Sequence, residues 1–268
     1  MQPTIASYNF CDQDFAAFLR NSAAGGFKNV AVGFFAGYLD LDLLNLTAAD
    51  EKWLNDQLAA NDLNLVAIFM GGSDILADDG LQGVVGRMEN CARFGINTVD
   101  MGSFGFDGKS AEQIAAEEKL FVKRIRQAGD RAGELGLTIC LETHGGFTGD
   151  TDSCLHAMAA INHERVKLAY DPANFHYYEG KDPTDRLEQL CPFIGHTHLK
   201  DHRGEKGNND FPLVGEGQTD YQTILPTLWK CGYRGNYTLE RAPGADDAER
   251  AQSLKKAYQF ITNLLPGD

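Results

Sequence analysis

Eight short apolar runs alternate with longer segments of helical spacing, and this alternation constrains the fold more than anything else in the chain. The runs fall at 4–9 (TIASYN), 29–34 (NVAVGF), 64–70 (NLVAIFM), 96–102 (INTVDMG), 137–142 (LTICLE), 166–171 (VKLAYD), 193–199 (FIGHTHL) and 236–240 (NYTLE). Each has the length of a buried strand. Between them, residues 12–24, 47–61, 80–94, 110–135, 151–162, 182–190, 219–231 and 246–264 read as helices. The clearest is 110–135, where Ile114, Phe121, Val122, Ile125, Ala128, Ala132 and Leu135 recur at three- and four-residue steps among charges. Ser110 ahead of Glu112 and Gln113, and Thr47 ahead of A-A-D-E, supply N-caps. Gly25-Gly26, Gly95, Gly136 and Gly232 stand where helices should stop before the next strand. Eight β-α units without a break in composition predict the α/β class, as a single (β/α)8 TIM barrel over 1–268. The length of 268 residues suits a barrel of about 250. The alternative, a doubly wound open sheet, usually has about five to seven strands, and no G-x-G-x-x-G follows the first run.

Four of the later runs end on ligand-type side chains. Glu142 closes T-I-C-L-E, Asp171 follows V-K-L-A-Y, His198 lies in H-T-H-L-K-D, and Glu240 closes Y-T-L-E. Period-two alternation sorts the faces. Leu137, Ile139, Leu141, Val166, Leu168, Tyr170, Tyr237 and Leu239 form one bulky apolar set, suited to the helices. The opposite parity carries Glu142, Asp171 and Glu240, and in the seventh run His196, His198 and Lys200. Neighbouring strands lie about 4.8 Å apart, so inward side chains from strands five to eight can converge at the C-terminal mouth, where barrel active sites sit. Three carboxylates and one imidazole suit a single divalent metal ion. Mn²⁺ or Mg²⁺ is favoured by the oxygen-rich set, with Co²⁺ or Zn²⁺ as further options.

The bulk properties narrow the partners. A net charge of −14, from 38 acidic and 24 basic residues, argues against nucleic acid. No apolar run is long enough to span a membrane, and the first residues show no signal peptide. Cys11, Cys91, Cys140, Cys154, Cys191 and Cys231 match no zinc or disulfide pattern, which points to free thiols and a reducing, cytoplasmic setting. The expected partner is a small oxygen-rich molecule. A homo-oligomer is compatible with apolar residues on the outer helices, although no single helix is singled out.

The order E-T-H, D-P-A-N, H-x-H-L-K-D, G-E-G-x-x-D-Y and L-E-R, over about 137–241, resembles the xylose-isomerase-like TIM-barrel superfamily. That group holds sugar and sugar-phosphate isomerases and epimerases, inosose dehydratases and isomerases, and endonuclease IV. The resemblance implies that Glu142, Asp171, His198 and Glu240 bind one divalent metal. It also implies that Glu142 and Glu240 are the catalytic acid and base on opposite faces of the substrate. The implied activity is isomerisation or epimerisation of a sugar or sugar derivative, by proton abstraction next to a carbonyl through a metal-stabilised enediolate. The alternative is a lyase or dehydratase acting on a cyclitol ketone or keto-sugar with the same metal and bases. Ketose 3-epimerases carry His where this chain has Asn174 and Glu where it has Thr148. This departure points away from a plain free ketose. An endonuclease IV-like enzyme conflicts with the charge and needs more His ligands. A non-catalytic sugar-binding barrel is the remaining alternative.

Further candidates surround the quartet. His144, Asn174, His176, Lys200 and Arg203 are the expected substrate contacts; Arg203 suits a carboxylate or phosphate. His196 reads as supporting or core, and Glu216 as structural or rim. Asn9, Phe34-Phe35 and Met70, at the ends of the first three runs, should form an apolar wall opposite the metal. No phosphate cradle is visible in that half.

Overall fold

The computed structural model describes residues 3–8, 10, 14–34, 39 and 41–265. Of the residues named above, Asn9, Cys11 and Phe35 lie outside that set. All eight strand expectations are met, each within a few residues: β1 (Thr4–Ala6), β2 (Asn29–Gly33), β3 (Asn64–Phe69), β4 (Thr98–Met101), β5 (Thr138–Glu142), β6 (Val166–Tyr170), β7 (Ile194–Leu199) and β8 (Tyr237–Leu239). They are parallel and pair in sequence order, and β8 closes on β1 through Thr4 opposite Thr238 and Ile5 opposite Leu239. The result is a closed (β/α)8 barrel, not an open sheet.

The connecting helices are α1 (Phe15–Ala24), α2 (Ala48–Ala60), α3 (Gly80–Ala92), α4 (Ala111–Leu135), α5 (Thr151–Ile161), α6 (Pro172–Asn174), α7 (Leu187–Leu190), α8 (Tyr221–Lys230) and α9 (Asp247–Leu264). The α4 helix begins in a capping box, in which Ser110 accepts from the Gln113 N–H and Gln113 reaches back to the Ser110 N–H. It ends at Gly136, whose φ of 72° is open to glycine at little cost.

One helix differs from expectation. The segment 182–190 keeps only the short α7, because the Asp182 side chain folds Thr184 into a turn and Arg186 takes a left-handed φ of 51°. Helical structure instead begins directly after β6. Asp171 accepts from the N–H groups of Ala173 and Asn174, and Pro172 occupies the first helical position. The α6 turn then runs into a π-helical turn over Phe175–Glu179. The residues after Asp171 are thus held tightly by the same carboxylate that points into the mouth.

The two faces of the barrel separate as the parity requires. Ile139, Leu141, Leu168, Tyr170, Tyr237 and Leu239 are buried in apolar clusters with helix residues such as Phe121, Ile125, Ile224 and Leu254. Each such aliphatic side chain contributes about 1.5–3 kcal/mol on burial. The lumen of β1–β3 is lined by small residues, Ala6, Ala31 and Ala67, which leave room above them for Tyr8 and Phe69. These two aromatics form the apolar wall. Met70 does not contribute to it: it falls on the helix-facing parity and packs in the outer core, while Phe34 lies only partly buried between the two clusters.

Candidate metal centre

Glu142, Asp171, His198 and Glu240 come together at the C-terminal mouth. Their ligand atoms all lie within 4.8 Å of one another and all four residues are buried. Glu142 ends β5, Asp171 and Glu240 directly follow β6 and β8, and His198 is the penultimate residue of β7. His198 Nδ1 lies 3.0 Å from Glu240 Oε1 and 3.6 Å from Glu142 Oε1. Neither contact is aligned as a hydrogen bond, so Nδ1 is a buried nitrogen with no partner, aimed into a nest of carboxylate oxygens. Such an atom fits a metal ligand whose ion supplies the missing bond.

The other nitrogen of the ring is anchored from the opposite side. Nε2 lies 2.9 Å from the Tyr8 hydroxyl and 3.3 Å from Asp100 Oδ2. The same Asp100 oxygen takes His196 Nδ1 at 2.6 Å, and His196 Nε2 meets Thr238 Oγ1 at 2.6 Å. A carboxylate can only accept, so a proton on His198 Nε2 satisfies Asp100. Burial opposes the charge on this ring, but Glu240, Asp100 and Glu142 outweigh it and raise its pKa well above the usual range, so Nδ1 also holds a proton here, and a divalent ion would take that proton's place. His196 is a fully bonded, buried supporting residue. Asp100 is the residue that sequence reasoning missed. It sits on the inward parity of β4, but its two partners lie 96 and 98 positions away along the chain. The signal was an acidic residue inside an otherwise apolar run.

The electrostatics also call for a cation. Three carboxylates share this dry mouth with one ammonium, Lys200, whose Nζ bonds Asp171 Oδ2 and lies 2.9 Å from Glu240 Oε2. Burial, together with the charges of Glu240 and Glu142, pushes Asp171 up to about 7 in spite of Lys200. Burial works against the charge on Glu240 as well, but Lys200 and His198 outweigh it and hold that carboxyl well below the usual range. Burial would likewise raise Asp100, yet His196 and His198 keep it down at about 2. A divalent ion among Glu142, Asp171 and Glu240 relieves this crowding of like charge.

The remaining candidates divide into near and far. Asn174 Nδ2 stands 3.5 Å from Glu142 Oε1, and Lys200 bridges two of the quartet. His144 lies on the rim, its Nε2 2.8 Å from the Tyr178 hydroxyl, beside a cavity of about 570 Å³ shared with Tyr177, Phe106 and Lys206. His176 is partly buried with an unpartnered Nε2, and its electrostatic neighbours are Asp182, His202 and Asp201. Arg203 is held in its own loop by Asp210 at 3.3 Å and by the Glu216 carbonyl, and the structure shows no link from it to the quartet. Thr148, standing where a Glu was looked for, donates to the Glu142 carbonyl at 2.6 Å and so braces the end of β5. Cys91, Cys140, Cys154 and Cys191 are buried free thiols, and Cys231 is free and exposed. Among the described residues, no helix is long and apolar enough to cross a membrane.

Fold and site together define a parallel barrel with a metal-type donor set at its C-terminal mouth. The family of xylose isomerase-like TIM barrels matches residues 19–264, and the chain belongs to that family. An inosose dehydratase of Serratia proteamaculans is 26% identical over 152 residues, covering 50% of this chain and 51% of that protein. The rhizopine catabolism protein MocC of Rhizobium meliloti is 24% identical over 163 residues, covering 55% and 50%. The chain thus spans about half the length of the curated relatives it matches. A D-psicose 3-epimerase from Clostridium cellulolyticum, solved with D-tagatose, shares the fold with a TM-score of 0.77 at 14% identity over the full length of both chains.

Proposed function

We propose that this chain is a divalent-metal-dependent isomerase or epimerase of a small sugar derivative, working by proton abstraction next to a carbonyl. The observation that carries the reading is the pair Glu142 and Glu240, which approach His198 Nδ1 from strands on opposite sides of β7. Glu142, Asp171, His198 and Glu240 would hold the ion, with Mn²⁺ or Mg²⁺ favoured by the oxygen-rich set. When bound, it supplies Lewis acidity that makes the carbon beside a carbonyl more acidic. One glutamate then takes the proton, and the other returns it from the far face or to the neighbouring carbon. Lys200 steadies Glu240 and offers an ammonium proton to a substrate oxygen. Tyr8 and Phe69 cover the His198 side of the mouth and limit water.

Dehydration is the second reading, in which the same enolised substrate expels a β-hydroxyl that Lys200 protonates. It is favoured by Asn174 and Thr148, which depart from the epimerase pattern, and by the match to an inosose dehydratase. Incubating the Mn²⁺-loaded protein in D₂O with ketoses, cyclitol ketones and keto-acids separates the two. Isomers carrying deuterium at carbon support the first, and a dehydrated product supports the second. If no substrate exchanges a proton and Glu142→Gln leaves metal content unchanged, both readings fall.

A further inference from the structure

At the opposite end of the barrel lies a second cavity, of about 710 Å³, around the N-terminal ends of β3 to β8. Its lining runs against the net charge of the chain. Three cations face it, Arg165, Lys167 and Arg234, and its lining contains no Asp or Glu. Two of them are held by neutral groups. Lys167 Nζ donates to the Pro192 carbonyl at 3.0 Å. Arg234 stacks 3.6 Å from the Trp229 ring centroid and gives Nη1 to the carbonyls of Trp229 and Tyr233. Among the described residues no carboxylate pairs with either, and Arg165 has only the exposed Glu164 at 3.8 Å.

The neutral groups add donors. The Asn97 side-chain oxygen Oδ1 accepts from the Thr98 hydroxyl at 3.0 Å, and Asn236 Oδ1 accepts from the Thr4 hydroxyl at 3.5 Å. In both residues the NH₂ end is thereby left for another acceptor. Gly195 lets the Lys167 stem pack close against β7: a Cβ there would meet Lys167 Cβ and Cys140 Sγ at 2.8 Å each. Fixed cations and amide donors without a competing carboxylate are what a multivalent oxyanion requires.

We propose that this N-terminal cavity is an anion site for a phosphate group, free or carried on a small molecule, separate from the metal centre. Against a net charge of −14, a cluster of cations without carboxylates makes a local attraction for an anion. Trp229, stacked on Arg234, is a built-in reporter; Trp53→Phe removes the other tryptophan.

The test is fluorescence and calorimetric titration of the full chain with inorganic phosphate, and separately with glycerol phosphate, at fixed ionic strength. Saturable binding is expected, at least about tenfold weaker in Lys167→Gln/Arg234→Gln and unchanged in Glu142→Gln. Tighter binding of the ester would identify a phosphorylated metabolite as the ligand, and equal binding would identify phosphate itself. Arg165→Gln, on a half-exposed side chain, gives a milder weakening if the double variant fails to fold. A response equal to that of chloride overturns the proposal. So does one that survives loss of the cations, or one that disappears in Glu142→Gln.

Discussion

Asp100 shows how one residue can govern a candidate metal ligand that it does not replace. Its Oδ2 is shared between His196 and His198, so it sets both the ring orientation and the proton position of His198. Partners of this kind typically carry about 10–100-fold in metal affinity. Asp100→Asn should weaken Mn²⁺ binding by that factor in a calorimetric titration while leaving all four ligands in place. Unchanged affinity would mean that the Tyr8 hydroxyl alone fixes the ring. Why Glu142 was legible in the sequence and Asp100 was not is a matter of range. Glu142 ends a run of clean alternation, so its face and height follow from its own neighbours. Asp100 takes its meaning from β7, and no local pattern reports that pairing. A second residue carries a pH prediction. Burial lowers the pKa of His176, despite the nearby carboxylates of Asp182 and Asp201. The folded state therefore takes up that proton less readily than the unfolded chain, whose histidines titrate near about 6.5. The contribution of His176 to stability is intact above that pH and is lost as pH falls from there through the lower pKa of the folded state. Thermal midpoints between pH 7.5 and 5.5 should fall less steeply for His176→Gln than for the parent.

At the scale of elements, the long connection from β7 to α8 is organised by a buried carboxylate rather than by regular structure. Asp201 accepts from four backbone N–H groups, those of His202 and Thr219 on Oδ1 and those of Gly215 and Gly217 on Oδ2. Gly217 is required by the close approach: a Cβ there would stand 2.3 Å from Asp201 Oδ1. This loop begins directly after Lys200, so its order fixes the base of the ammonium that bridges Asp171 and Glu240. Hydrogen bonds to a charged acceptor contribute about 1.5–3 kcal/mol each, and stranded N–H groups cost more than the mean. Asp201→Ala should destabilise the chain by at least about 3 kcal/mol in denaturant unfolding, with faster amide exchange concentrated at 215–219. Even exchange across the barrel would show that the carboxylate is not the organiser. The loop itself was partly legible: G-E-G-x-x-D-Y marks a turn-rich segment, but the anchor lies fourteen to eighteen residues upstream. The shift of helix from 182–190 to the residues after Asp171 has a similar cause. Asp171 was read as a ligand alone, whereas it also caps α6, and one side chain serving two purposes leaves one mark in the sequence.

For the whole molecule, the barrel places its charge unevenly and at a cost to the metal-free state. Glu142, Asp171 and Glu240 are gathered in a buried mouth with only Lys200 and a ring nitrogen against them, and the raised pKa of Asp171 is one sign of the strain. Because the candidate ligands lie on or directly after four separate strands, β5 to β8, an ion that joined them would tie together half of a closed sheet. In the unfolded chain they are scattered over 99 positions, from 142 to 240, so binding strongly favours the folded state. At a free metal concentration about a hundredfold above Kd, this linkage amounts to about 2.7 kcal/mol. For a chain of this size it corresponds to a rise in the melting midpoint of roughly 5 °C. Adding Mn²⁺ to metal-stripped protein should produce that rise, and chelation should reverse it. Glu142→Gln and Asp171→Asn should each abolish most of the rise. Glu142→Gln should also leave the metal-free protein as stable as the parent or more so, since it removes one charge from the crowded mouth without taking a partner from Lys200. If Glu142→Gln melts below the metal-free parent, the carboxylates are structural supports of the mouth. In that case Lys200, not a divalent ion, is the cation the site was built around.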